Sequence, residues 1–116
     1  MNQPPPTIEL SSADAAKQLT NTAAPMRPLL LDCRTAEEYA IAKIEGAVLI
    51  PMQEIAVRLS ELEPWREKPI IVHCHHGVRS LRVTQFLREK GFSQAQSMKG
   101  GIDAWSVEVD PSVPRY

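Results

Sequence analysis

One segment gathers the side chains that can do covalent chemistry: His73-Cys74-His75-His76-Gly77-Val78-Arg79-Ser80. It joins a short apolar run, Ile70-Ile71-Val72, to an amphipathic stretch from Arg79 to Lys90. A thiol at a strand-to-helix junction lies where open α/β sheets bind ligands, outside the carboxyl end of a strand. The turn between Cys74 and Arg79 brings backbone N–H groups to the positive end of a helix dipole. Gly77 can take a positive φ and let the backbone curl into an anion cradle. Such a ring favours thiolate over thiol. A free cysteine of pKa ~8.5 is about 3% thiolate at neutral pH, and a pKa of ~6.5 makes it about 75%. That shift is worth about 2.7 kcal/mol. Arg79 adds a fixed positive charge and a planar fork of donors for an oxyanion. Together these residues make an activated nucleophile facing an anionic substrate.

Plainer readings compete at each position. A cysteine at the end of a buried strand is often only a small hydrophobe. For Cys74, the glycine-containing turn, the arginine and the helix that follow argue otherwise. All three histidines, His73, His75 and His76, fall in this segment, which raises a metal site. Adjacent side chains converge poorly on one ion, and the usual ligand spacings are missing, so no metal is expected. Cys33, on another buried run, reads first as a small core residue. Its functional alternative is a resolving thiol that forms a disulfide with Cys74. Trp105 and Tyr39 fit core packing.

The elements that must position this segment follow from the apolar pattern. Leu29-Leu30-Leu31-Asp32-Cys33, Ala47-Val48-Leu49-Ile50 and Ile70-Ile71-Val72-His73 are short apolar runs bounded by loop residues. They suit strands buried on both faces of a parallel sheet. Thr7–Leu10 and Ala95–Met98 are shorter candidates. Ser11 or Ser12 can cap a helix running through Leu19. Thr35 can cap a short helix, with Glu38 in capping-box position. The spacing of Ile55, Leu59 and Leu62 predicts a helix over Gln53–Leu62. Val83, Phe86 and Leu87 mark one face of the Arg79–Lys90 helix, with Gly91 at its end. A last short helix containing Trp105 follows Gly100-Gly101. Asn21–Pro28 and Pro64–Pro69 read as loops. Strands alternating with helices give an α/β fold. Residues 1–6, with Pro4-Pro5-Pro6, form a flexible lead-in, 7–109 the domain, and 110–116 an extended Pro-rich tail.

Composition narrows the class. The 116 residues suffice for one core, and 43% hydrophobic with 23% charged content is ordinary for a soluble globular chain. Thirteen basic and fourteen acidic residues leave a charge of −1, so no basic excess points to nucleic acid. No apolar run approaches a membrane span, and the N-terminus lacks the pattern of a signal peptide. Two cysteines are too few for a disulfide framework, which points to a reducing compartment, the cytoplasm.

Four segments in order resemble the rhodanese family, over nearly the whole chain. Leu30-Leu31-Asp32-Cys33-Arg34 with Glu37-Glu38-Tyr39 is similar to its first motif, and Ile44-Glu45-Gly46-Ala47 with Ile50-Pro51 to its second. His73 to Ser80 resembles the active-site loop, and Met98-Lys99-Gly100-Gly101 with Trp105 the closing motif. Ala42-Lys43 departs from the Gly-His that the family commonly carries there. The resemblance implies a five-stranded, mostly parallel sheet with helices on both faces. It also implies double displacement: Cys74 takes a sulfane sulfur from thiosulfate or another persulfide and passes it to cyanide, a thiol or a protein acceptor. No cofactor is implied, because Cys74 itself is the carrier. Backbone amides from His75 to Arg79, with Ser80 beside them, would hold the persulfide, while Arg79 steadies the anion. Asp32 and Arg34 would brace the loop from the neighbouring strand, or form a purely structural ion pair.

Loop length separates sulfur from phosphorus within this superfamily. Four residues, His75 to Val78, lie between Cys74 and Arg79, whereas related phosphatases and arsenate reductases place five there. An oxyanion enzyme of that type is the first alternative to a sulfurtransferase. A non-catalytic carrier that hands persulfide to one protein partner is the second.

Overall fold

The computed structural model describes residues 4–21, 23 and 26–116. Residues 1–3 of the lead-in and 22, 24 and 25 of the first loop therefore lie outside the described residues. Strands β1 (Glu9–Leu10), β2 (Leu29–Asp32), β3 (Val48–Leu49), β4 (Ile70–His73) and β5 (Ala95–Met98) form one sheet in the order β1-β5-β4-β2-β3. Every pairing in it is parallel. Helices α1 (Ser12–Asn21), α2 (Ala36–Ile41), α3 (Val78–Glu89) and α4 (Gly101–Glu108) connect them.

The apolar runs work as strands because both faces of the sheet are covered. Side chains alternate across a strand, so Leu31, Ile70 and Val72 enter one core with Ile55, Leu62, Val83 and Leu87. Leu30 and Ile71 enter the other with Ala15, Ile102 and Trp105. α3 thus covers one face, and α1 and α4 the other. Each fully buried Leu, Ile or Val stabilises by about 1.5–3 kcal/mol relative to exposure. Ser11 is the residue that caps α1, its Oγ accepting from the Asp14 N–H at 3.0 Å. Thr35 forms the expected capping box: its Oγ1 accepts from the Glu38 N–H at 3.2 Å, and Glu38 Oε1 accepts from the Thr35 N–H at 3.3 Å.

The helix expected over Gln53–Leu62 is instead two 3₁₀ segments, Met52–Glu54 and Leu59–Trp65. Ile55 and Leu62 are buried as the spacing required, but the backbone closes i→i+3 bonds such as Glu54 to Pro51 and Glu61 to Arg58. Prolines at 51 and 64 account for this: neither has an N–H, and Pro64, inside the second segment, cannot bond back to the carbonyl four residues earlier. The apolar period placed the anchors correctly, and the prolines decided the backbone between them.

Residues 110–116, set apart in the sequence as an extended tail, fold back onto the domain. Val113 is buried with the α1–α4 core, and Arg115 pairs with Asp103 of α4 at 2.9 Å.

Candidate active site

The carboxyl ends of β2 and β4 meet at Asp32-Cys33 and His73-Cys74, and the loop leaving β4 turns directly into α3. Gly77 makes that turn possible, with φ +104° immediately before the helix. A Cβ there would lie 3.1 Å from the Gly100 nitrogen. The closing Gly100-Gly101 pair packs just as tightly. A Cβ on Gly101 would come within 2.5 Å of both the Cys74 and His75 carbonyl oxygens, contacts that a side chain cannot make. The first turn of α4 instead donates to those carbonyls, Ile102 N–H to Cys74 at 2.8 Å and Asp103 N–H to His75 at 3.1 Å. The loop is therefore held from below by a second helix.

At its centre, the Gly77 and Ser80 amides donate to Cys74 Sγ at 3.0 and 3.3 Å. Ser80 Oγ lies 3.4 Å from the sulfur and is itself fixed against Ser97 Oγ at 2.7 Å. Of the amides expected from His75 to Arg79, only that of Gly77 bonds the resting sulfur, and Ser80 supplies the second. A hydrogen bond from the Cys33 thiol, then the Ser80 hydroxyl and the two amides, outweigh burial and lower the Cys74 pKa to about 4. Cys33 moves the opposite way, raised by that same hydrogen bond and by burial. The two shifts run in opposite directions, favouring the thiolate at Cys74 and the thiol at Cys33.

This ordering has a measurable consequence. The folded pKa of Cys74 lies below its unfolded value. Its ionised form thus adds stability above the unfolded thiol range, and that contribution is lost as pH falls toward about 4. Alkylation of Cys74 by iodoacetamide is expected to stay flat from about pH 6 to about pH 8, where an ordinary thiol gains about tenfold per pH unit. A rate that climbs with the ordinary slope across that interval would show that the cradle does not hold a thiolate.

Arg79 lies on the first turn of α3, but both terminal nitrogens of its fork are occupied, donating to Glu38 Oε1 and Oε2 at 2.6 and 2.9 Å. Arg79, first among its partners, holds the Glu38 carboxyl well below the usual carboxylate range. The Tyr116 hydroxyl also donates to Glu38 Oε2 at 2.7 Å and accepts from Arg34 Nη1 at 2.8 Å. Burial and the carboxylate raise the Tyr116 pKa to about 12, so the phenol remains a donor. Its ring stacks on His75 at 3.9 Å between centroids.

Asp32 and Arg34 are both fully buried and bond twice, Nε to Oδ1 at 2.9 Å and Nη2 to Oδ2 at 2.7 Å. Nη2 also reaches the Ala42 carbonyl at 2.7 Å, which ties down the turn where the sequence departs from the family pattern. Asp32 Oδ2 lies 3.7 Å from His73 Nε2 on the neighbouring strand. Burial lowers the His73 pKa, which favours the neutral ring. The Asp32–Arg34 pair thus touches the strand end below Cys74 and, through Tyr116, the ring of His75. Val78 opens α3 and is exposed, as is His76.

His75, His76 and Asp103 place ligand atoms within 4.8 Å of one another. The two rings stack at 3.8 Å between centroids, and Arg115 occupies the Asp103 carboxylate. The sequence reading missed three residues: Glu38, seen only as a capping residue, Ser97 and Tyr116. Glu38 carried a signal in its capping-box position, whereas the other two carried none.

The family model for the Rhodanese-like domain matches residues 12–108. The chain is 36% identical over 87 residues to "Thiosulfate sulfurtransferase GlpE" of Actinobacillus pleuropneumoniae, covering 75% of this chain and 79% of that protein. It is 39% identical over 93 residues to "Adenylyltransferase and sulfurtransferase MOCS3-2" of Zea mays, covering 76% of this chain and only 19% of that much longer protein. The crystal structure of a rhodanese-related protein from Thermoplasma volcanium superposes with a TM-score of 0.76 at 28% identity, covering 93% of this chain and 98% of that one. The chain belongs to the rhodanese-like domain family. Among the described residues, no helix is long and apolar enough to cross a membrane.

Proposed function

We propose that the chain is a thiosulfate sulfurtransferase that carries the transferred sulfur as a persulfide on Cys74. The observation that carries this reading is the Cys74 sulfur itself, which accepts from two loop amides at the carboxyl end of the sheet. The thiolate attacks the sulfane sulfur of thiosulfate, the S–S bond breaks, and sulfite leaves with the electron pair. Cyanide or a thiolate then attacks the outer sulfur and Cys74 departs as thiolate. No cofactor enters either step. Cys74 is only 1% exposed, which suits a small donor. The charge of Arg79, held in place by Glu38, extends to Cys74 and favours an anion there. The amides of His75, His76, Gly77 and Val78, with Ser80, are the donors available to the outer sulfur.

The name of the GlpE relative supports thiosulfate as donor. The maize relative, in which such a domain accompanies an adenylyltransferase, supports a protein acceptor as a further route. Two free cysteines fit a reducing compartment such as the cytoplasm. Residues 7–109 form the working domain in this reading, with 110–116 seated on it through Val113, Arg115 and Tyr116.

Incubation with thiosulfate should add the mass of one sulfur atom to the peptide that contains Cys74, and cyanide should remove it. Aryl phosphates should be turned over weakly or not at all. A phosphoryl group presents three equatorial oxygens that each need a donor, and a four-residue spacer curves around less space. Robust phosphatase activity without a sulfur adduct would replace this reading with the oxyanion-enzyme alternative.

A further inference from the structure

Cys33 and Cys74 are the only cysteines in the chain, and the fold sets them side by side. β2 and β4 pair with Leu31 opposite Val72 and Asp32 opposite His73. One more bond, from the Cys33 N–H to the His73 carbonyl at 3.1 Å, carries the ladder a step further. Cys33 therefore stands beside Cys74 on the adjacent chain. Neighbouring strands run about 4.7–4.9 Å apart, within the ~4.4–6.8 Å Cα separation that a disulfide accepts. Both side chains enter the same core, so they leave the sheet on one face.

We propose that Cys33 is the resolving thiol of Cys74: once Cys74 carries an outer sulfur substituent, Cys33 displaces it and closes an internal Cys33–Cys74 disulfide. For the persulfide this rests on the sulfurtransferase reading above. The Cys33 sulfur attacks Cys74 Sγ, and the bond from Sγ to the outer sulfur breaks. The outer sulfur leaves with that electron pair, takes the Cys33 proton and departs as hydrosulfide. Three sulfur atoms and one proton are conserved. The outer sulfur is reduced to sulfide as Cys33 is oxidised into the disulfide, so no external oxidant is needed. A dithiol reductant then restores both thiols. With an acceptor present the sulfur is transferred, and without one it is released as sulfide while Cys74 is protected from overoxidation.

Two probes on the whole chain test this, both without oxygen. Dipyridyl disulfide modifies Cys74 independently of any sulfur transfer. The expected result is two pyridinethiones released per chain and a cross-linked Cys33–Cys74 peptide. Cys33→Ser should release one and keep a stable mixed disulfide. A mixed disulfide that persists on Cys74 in the unaltered chain would overturn the resolving role. In the second probe, the thiosulfate-loaded chain is freed of donor and left without acceptor. Each persulfide lost should yield one sulfide and one internal disulfide, and the persulfide of Cys33→Ser should last more than about tenfold longer. Equal lifetimes in the two proteins would overturn sulfide release. If thiosulfate fails to load Cys74 while dipyridyl disulfide still closes the cross-link, the sulfurtransferase reading falls and the resolving pair stands.

Discussion

Cys74→Ser is expected to abolish sulfur transfer, lowering thiosulfate:cyanide turnover by about a thousandfold or more. The hydroxyl that replaces the thiol does not ionise in this cradle at neutral pH, and serine cannot hold a sulfane sulfur. The Gly77 and Ser80 amides are on the backbone and remain, so the loop should keep its shape. Cys33→Ser is the informative companion. It keeps a hydrogen-bond donor next to Cys74 and leaves the nucleophile in place, so it should still accept sulfur from thiosulfate, at some cost in stability. The measurement is turnover alongside intact mass and a melting curve for both variants. Turnover of folded Cys74→Ser within about tenfold of the unaltered protein would show that another group carries the sulfur.

The largest stability effect should come from Arg34→Leu. This change leaves the Asp32 carboxylate fully buried without its two guanidinium bonds and strips the Ala42 carbonyl and Tyr116 hydroxyl of their donors. Breaking one side of a buried ion pair costs about 3–5 kcal/mol, a large part of the roughly 5–15 kcal/mol that holds a domain folded. Replacing both partners, Asp32→Leu with Arg34→Leu, should recover part of the loss, because no uncompensated charge then stays inside. Urea midpoints of the two single variants and the double variant give the coupling directly. A single variant that loses less than about 1 kcal/mol would mean that water reaches Asp32 and the pair is not the brace that its burial indicates.

Much of the fold could be read from local pattern, because it depends on local physics. Apolar runs such as Leu29–Leu31 and Ile70–Val72 have little alternative to burial on both faces, and those faces demand helices. The Thr35–Glu38 capping box spans three residues and needs no tertiary partner. Cys74, Gly77 and Ser80 lie within one loop, and the fold brings them together as their spacing promised. The prolines at 51 and 64 were visible too, but the periodic apolar signal of Ile55, Leu59 and Leu62 concealed their effect on the backbone.

What only the tertiary structure decided are the contacts between segments far apart in the chain. Arg79 was legible as a fork of donors, but not that Glu38, forty-one residues away, fills it. Tyr116 has no motif, yet it stacks on His75 and bridges Arg34 to Glu38 because the last residues return across α4. Cys33 resembled any small core residue until β2 and β4 paired in register and set it beside Cys74 in the same core. Residue types and spacing determine which chemistry a segment can offer. Which charges are already satisfied, and which thiol faces which, depends on distances that form only when the sheet closes.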